Sequence, residues 1–402
     1  MSFAPTNWPA ALRVTRPNHS QQISFPYAGI GGPERALYAC KFKFTPVNEF
    51  DKEQCCIRAL HALHGSRQHD SRCLDILEST DADWQDSDGL VGGPPCLPWT
   101  VLGSTRGWHD PRSDCFVNLL ERIREMSLRK RPLLWAVIEN VESLMWAVNG
   151  TRGINKIIDW WHENMPHWEP LDVMVVDSRD CGLPQSRRRV FMVSVSKMVS
   201  HVAGMVPEEP AKLTKVKLEP FLSDGRGAGS REKPLTAKLQ ANIDYYNATF
   251  SSLQAKDATG AKFACVNVSR APGEKFKASF KYDECPTVTF SSRYMYVLKK
   301  SGIVSDKVPS IGRFATLEDL CNVSGVSFAS LSDVLTKTQM YHALANVITP
   351  NAAGVVLASV MKTMAIFETN VIKRDLFSLM TFIEDKTVAS IQRKKRHADE
   401  MH

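Results

Sequence analysis

The sequence predicts an α/β protein: a Rossmann-like, doubly wound sheet joined to a smaller, irregular second domain. Three observations carry this. Residues 132–141 (PLLWAVIENV), 171–177 (LDVMVVD) and 188–195 (RRVFMVSV) are Val/Ile/Leu-rich runs of the kind that form strands buried on both faces. Two amphipathic stretches accompany them, one with Phe116, Leu119, Leu120, Ile123 and Met126 on a single helical face, the other with Ile154, Ile157, Ile158 and Trp161. Near residue 200 the character changes, and residues 200–312 are polar, rich in Lys, Ser and Gly, without long apolar runs. Strands alternating with helices of this length wind a sheet with helices on both faces.

In chain order, residues 1–22 hold three prolines and little periodicity, and form an N-terminal arm. Residues 23–199 carry the doubly wound sheet. Residues 200–312 form the second domain, of irregular strands. Residues 313–375, through ATLEDLCNVSGVSFASLSDV and AAGVVLASVMKTMAIF, return as helices that complete the first domain. Residues 376–402 are a basic tail that frays. No internal repeat is visible.

Composition narrows the class. The chain has 402 residues, 43% apolar and 23% charged, which excludes a disordered, collagen-like or coiled-coil protein. No stretch approaches the roughly 18 consecutive apolar residues of a membrane helix, so no membrane is expected. The N-terminus has no apolar core of a signal peptide. Ten cysteines without a Cys-x-x-Cys pair argue against a disulfide scaffold or a structural zinc, and for a reducing compartment. Of the net charge of +7, most falls in residues 201–310, with 17 Lys plus Arg against 11 Asp plus Glu. That segment is either a polyanion-binding part or a solvated lysine-rich surface.

Four local patterns carry chemistry. Tyr27-Ala28-Gly29-Ile30-Gly31-Gly32 is a glycine turn after an apolar run. With Glu34 at the third glycine position and no Gly-Lys-Ser/Thr ending, it is either only a turn or the seat of a nucleoside ligand without a pyrophosphate. Glu49 follows Gly29 at the distance where such folds offer a carboxylate to ribose hydroxyls. Next, Gly92-Gly93-Pro94-Pro95-Cys96-Leu97-Pro98-Trp99-Thr100 can be neither helix nor central strand, so Cys96 sits on a rigid exposed loop, either a nucleophile or an incidental thiol. Glu139-Asn140-Val141 ends the strongest strand, where open α/β sheets bind ligands, unless it is merely a solvated strand end. In Gln185-Ser186-Arg187-Arg188-Arg189, alternation puts Arg187 and Arg189 on one face, where they need anionic or carbonyl partners unless the cluster is merely superficial.

In this order the four patterns resemble the C5-cytosine DNA methyltransferases that use S-adenosylmethionine, over residues 25–357. Asn48-Glu49-Phe50-Asp51-Lys52, Leu74-Asp75-Ile76, Gly107-Trp108-His109-Asp110-Pro111-Arg112, Pro286-Thr287-Val288-Thr289 and Arg313-Phe314-Ala315-Thr316 fit the same family pattern, and Asn346 falls where the family has Gly-Asn. The resemblance implies that Cys96 adds to cytosine C6, Glu139 binds the N3 and amino edge, Arg189 binds O2, and Arg187 holds Cys96 or a nearby phosphate. For S-adenosylmethionine it implies Tyr27, Ala28, Gly29 and Gly31 at the methionine part, Glu49 at the ribose, Phe50 on the adenine and Asp75 at its amino group, with Ile76, Pro94 and Asn346 completing the pocket. Thr100, Gln185, Thr287 and Arg293 would contact DNA, and residues 200–312 would be the target-recognition domain around a flipped-out cytosine.

No metal is required. The partner implied is double-stranded DNA met as a monomer, with room for a restriction endonuclease partner. The setting is the cytoplasm of a bacterium or phage-infected host, or the nucleus of a eukaryote.

The sequence departs from the family at Phe25, where an aspartate is usual, at Leu97 and Trp99 in the cysteine loop, and at Ala345. Three rivals stand beside this reading. A tRNA cytosine-5 methyltransferase shares the motifs but carries a Cys-Phe-Thr segment absent here. A silent DNA-binding regulator typically loses the cysteine or the glutamate. An unrelated Rossmann-type methyltransferase leaves the arginine pair unexplained. The run Arg393-Lys394-Lys395-Arg396 is either a solvated basic end or a nuclear signal.

Overall fold

A computed structural model of the chain describes residues 20–363, apart from 40–41, 65–70, 101–105, 149–150, 198, 201–205, 211, 225–234, 254–261, 270–282, 301 and 309–311. The expected basic tail and all but the last residues of the N-terminal arm lie outside the described residues.

The first part of the chain is a three-layer sandwich. Its elements are β1 (Gln21–Pro26), α1 (Gly32–Ala39), β2 (Phe44–Asp51), α2 (Gln54–His64), β3 (Ser71–Cys73), β4 (Gly89–Gly92), α3 (Asp114–Ser127), β5 (Trp135–Val141), a ribbon of β6 (Ala147–Val148) and β7 (Thr151–Arg152), α4 (Gly153–Asn164), β8 (Asp172–Asp177) and β9 (Arg188–Val195). Seven of the strands pair in the order β3-β2-β1-β4-β5-β9-β8. The residues of β5 show why this is a buried central strand. Trp135 and Val137 face one layer, with Ile23, Phe25 and Phe191. Ala136 and Ile138 face the other, with Leu119 and Ile123 of α3 and Ile157 and Trp161 of α4. A strand buried on both faces must read as a continuous apolar run.

The sheet is mixed. β1 to β5 run parallel, whereas β9 is antiparallel to both β5 and β8. This reversal brings the start of β9 to the finishing end of β5, so Arg189 lies opposite Val141. Chain order leaves β1 to pair with β2 on one side and β4 on the other, which opens a crevice at the carboxyl ends of the strands.

Two expectations need correction. The run 171–177 is not buried on both faces, because β8 is the sheet's edge and Val175 is 41% exposed. Ile158 does not share the buried face of α4 and is 39% exposed.

Residues 200–312 are more regular than their composition suggests. α5 (Ala237–Leu253) packs Leu239, Ile243, Tyr246 and Phe250 onto a three-stranded antiparallel sheet of β10 (Phe263–Asn267), β11 (Met295–Lys299) and β12 (Gly312–Phe314). That spacing is helical, but the intervening polar residues hide it in a compositional reading. The chain beyond 313 divides between two cores. α6 (Leu317–Val323), α7 (Phe328–Ser332) and α8 (Lys337–Asn346) join Leu218, Phe263 and Val297. α9 (Pro350–Thr363) packs Val355, Val356 and Val360 under the large sheet beside α1. Over Lys337–Met361 the chain is long and apolar enough to cross a membrane, yet 72% of that window is buried inside the protein, as core helices are.

Candidate active site

The crevice at the strand ends contains a cavity of about 320 Å³ lined by the turn after β1, the loop after β4, the ends of β2 and β5, the start of β9, and α8. One end of it is built by backbone turns. Tyr27 and Gly29 follow β1 with φ of 58° and 56°. A side chain at Gly29 would meet nothing within 4 Å, so the turn presents bare backbone to open space. Asp51 fixes that turn, accepting from Gly29 N at 2.9 Å and from Glu53 N at 2.9 Å. Burial pushes the Asp51 carboxyl up, and those two amides pull it back. Phe50 is fully buried at the same wall, edge-on to Trp84, with the Arg72 guanidinium 4.6 Å from its ring centre. Asp75 caps the turn Ile76–Glu78 through Leu77 N, and Asp75 and Ile76 both line the cavity. Burial drives the Tyr27 phenol far above its ordinary range, and its hydroxyl donates to the Cys115 carbonyl at 2.8 Å.

At the other end, the loop after β4 carries Cys96. Asn140 at the end of β5 holds this loop, donating to the Pro94 carbonyl at 3.1 Å. Gly93 packs closely here: a Cβ would lie 3.0 Å from Ile348 and 3.2 Å from Glu139 Oε2, so those side chains would have to shift. Glu139 is 8% exposed and pairs with Arg189, Oε1 to Nε 3.1 Å. Burial raises the Glu139 carboxyl, with Arg189 and then Arg187 opposing. The Cys96 thiol is likewise raised by burial, lowered by Arg189, raised by Glu139 and lowered by Arg187. Cysteine, glutamate and two arginines therefore share one electrostatic unit.

Arg187 is 2% exposed, yet it lines the cavity beside Cys96. Its guanidinium donates to the carbonyls of Val288 at 3.3 Å and Ala345 at 2.9 Å, while Nε has no hydrogen-bond partner. Burial first, then Arg189, pushes Arg187 down to about 9. Arg188, on the opposite face, is exposed and forks onto Glu142.

Several candidates lie elsewhere. Glu49 does not line the cavity. It turns inward from β2, accepts from the Ser71 hydroxyl and faces Glu34, whose buried carboxyl it helps hold well above the ordinary range. Asp51, two residues on along the same strand, presents its carboxylate to the cavity instead. Ala28 and Gly31 also stand back: Ala28 N donates to the Phe50 carbonyl, and a Cβ on Gly31 would meet His64 at 2.5 Å and Leu60 at 2.6 Å, so Gly31 serves the packing of α2.

Among the expected DNA contacts, Gln185 is fully buried and donates to the Val323 carbonyl and the Ser324 hydroxyl, which makes it an internal tie rather than a surface contact. Thr287 donates to the Ser186 carbonyl at 2.6 Å and Thr100 to the Leu97 carbonyl at 3.4 Å. Arg293 is exposed, its guanidinium 5.1 Å from the Tyr294 ring centre. Pro94 and Asn346 line the cavity. Phe25 packs into the core against Phe44, away from the site.

Sequence reasoning missed Asp51, Cys115, Phe290 and His342, all of which line the cavity. Asp51 sits within a quoted motif, and strand alternation puts it on the same side as Glu49, so the sequence offers no way to choose between them. Nothing in the sequence marks Phe290 or His342. No cluster of three or more His, Cys, Asp or Glu suited to a metal occurs among the described residues.

The family model for C-5 cytosine-specific DNA methylases matches residues 26–306. The chain is 27% identical over 173 residues to the type II methyltransferase M.FnuDI of Fusobacterium nucleatum, covering 42% of this chain and 46% of the relative. It is 26% identical over 237 residues to M.MthTI of Methanothermobacter thermautotrophicus, covering 56% and 64%. The match thus spans about half to two thirds of these relatives' length. In fold, the chain is similar to the methyltransferase EhMeth of Entamoeba histolytica, with a TM-score of 0.55 at 12% identity over 85% of this chain and 98% of that one. The Dnmt2 methyltransferase of Schizosaccharomyces pombe gives a TM-score of 0.55 at 14% identity, over the same shares.

Proposed function

The chain belongs to the C-5 cytosine-specific DNA methylase family, and from that premise we propose that it methylates C5 of a cytosine extruded from duplex DNA. The observation that carries this is the convergence of Cys96, Glu139 and Arg189 on one cavity whose far end is a bare glycine turn. S-Adenosylmethionine fits that far end: Gly29 leaves backbone open, Asp51 offers a carboxylate to ribose hydroxyls, Phe50 offers an apolar wall to adenine, and Asp75 and Ile76 close the side. When bound, it supplies a sulfonium-activated methyl group to C5.

The chain's own residues do the rest. Cytosine C5 is a weak nucleophile until C6 carries a substituent, so the Cys96 thiolate adds to C6 and pushes electron density to C5. Glu139, whose carboxyl burial raises against the opposing pull of Arg189 and Arg187, donates a proton to N3 and offsets the charge arriving there. Arg189, fixed by its bond to Glu139, donates to O2 of the base. Loss of the C5 proton to water then expels Cys96 as thiolate, the N3 proton returns to the Glu139 carboxylate, and 5-methylcytosine is left. These atoms lie inside a duplex until the nucleotide is flipped out. The basic segment 201–310 supports a duplex partner through phosphate contacts.

The test is methyl transfer from labelled S-adenosylmethionine to unmethylated plasmid DNA and, in parallel, to total tRNA. Label in DNA, mapped by bisulfite sequencing to one short site, is the expected result. Label confined to tRNA would keep the chemistry and replace the substrate. Absence of label in both would overturn the reading.

A further inference from the structure

The polar end of the cavity has an apolar rim. Leu97 beside the cysteine is 38% exposed and Phe290 is 47% exposed; both line the cavity. Phe290 opens a short turn, Phe290–Tyr294, held by a capping box of Thr289 and Ser292. Its ring lies 4.9 Å from that of His342 on α8, which is in turn 3.5 Å from the Asn346 side chain. The buried Arg187 guanidinium bonds Val288, two residues before Phe290, and Ala345, three residues after His342. One side chain therefore ties the turn carrying Phe290 and the helix carrying His342 to the chemistry below.

The orientation of a bound nucleoside says what they meet, given the proposed function. With C6 at Cys96 and the N3 and O2 edge at Glu139 and Arg189, N1 and its sugar point to the mouth. We propose that Leu97 and Phe290 pack against C2′ of the extruded nucleotide and select deoxyribose over ribose. A 2′-hydroxyl pressed on this rim would lose water without gaining a partner, a cost of about 1–3 kcal/mol, or roughly 5- to 150-fold in rate.

The experiment uses a duplex bearing the methylation site mapped above, with either deoxycytidine or a single ribocytidine at the target. The wild-type enzyme is expected to prefer deoxycytidine about fivefold or more in kcat/KM. Phe290→Asn, which offers the hydroxyl a partner, should shrink that ratio at least about threefold. Phe290→Leu, which stays apolar, should keep it. S-Adenosylhomocysteine affinity, measured by calorimetry, should match wild type in both variants and shows that each is folded. A wild-type ratio near one, or an unchanged ratio in Phe290→Asn, overturns the rim's role. Absence of transfer to the deoxycytidine duplex overturns the parent reading and the rim together.

Discussion

The two walls of the cavity are built on different principles. On the wall contributed by the large sheet, Cys96, Glu139 and Arg189 sit at strand ends or on a loop pinned by Asn140, and the charged pair is largely buried. On the facing wall, Phe290 and His342 sit on a turn and a helix from the second core, and carry no ion pair between them. The first wall must hold reacting atoms to within fractions of an ångström, which demands strand-end rigidity. The second must admit a nucleotide, which demands exposure. What joins them is Arg187, a buried cation spent on two carbonyls.

The largest effect that sharpens this comparison concerns the frame of the second wall. Arg313 forks onto Asp319, 2.5 Å to Oδ2, and Asp319 also accepts from Ser223 N at 2.6 Å and Thr316 N at 2.7 Å. Asp319→Ala leaves a buried guanidinium without its carboxylate and should cost about 3–5 kcal/mol in urea unfolding. A loss under about 1 kcal/mol would show that the second core does not depend on this network.

Glu139→Gln tests the first wall. Methyl transfer should fall roughly 100-fold or more. Because Glu139 raises the Cys96 thiol and the arginines lower it, the same variant should speed alkylation of Cys96 by iodoacetamide at neutral pH. Rate lost with alkylation unchanged would mean that the two groups are not electrostatically joined.

In the unaltered protein the sign is clear: a thiol raised by burial is mostly protonated at neutral pH, so single-turnover rates should climb as pH rises through the alkaline range. A flat profile would place the deprotonation elsewhere.

The smallest effect belongs to the cofactor end. Asp51→Asn keeps the shape and loses the charge that holds Gly29 N. S-Adenosylhomocysteine should bind about tenfold more weakly, a loss near that of one charge-assisted hydrogen bond. Glu49→Gln, altering a residue turned away from the cavity, should change binding less than Asp51→Asn; the reverse order would return the ribose to Glu49.

Legibility in the sequence followed the same division. The strand runs of β5 and β9, the Pro-Pro-Cys loop and the Glu139 and Arg189 ends were readable because each residue type is dictated locally, by burial on both faces or by proline geometry. The antiparallel turn of β9 was not, since an apolar run looks alike in either direction. Glu49 and Asp51 lie on one side of the same strand, and only the positions of Glu34 and Ser71 decide which carboxylate turns inward. Gln185 looked like a surface contact because its burial comes from α6, well over a hundred residues away. Phe290 and His342 meet only through tertiary packing, and no spacing announces that.

The central claim is that Cys96 forms the covalent bond to the base. Duplex DNA with 5-fluorocytosine at the mapped site, incubated with enzyme and S-adenosylmethionine, tests it directly, because C5 then carries fluorine in place of the proton whose loss expels the cysteine. Peptide mass spectrometry should find the nucleotide, methylated, on the peptide containing Cys96, and nothing in Cys96→Ala. An adduct on Cys56 or Cys115, which line the same cavity, or turnover that proceeds in Cys96→Ala, would contradict it.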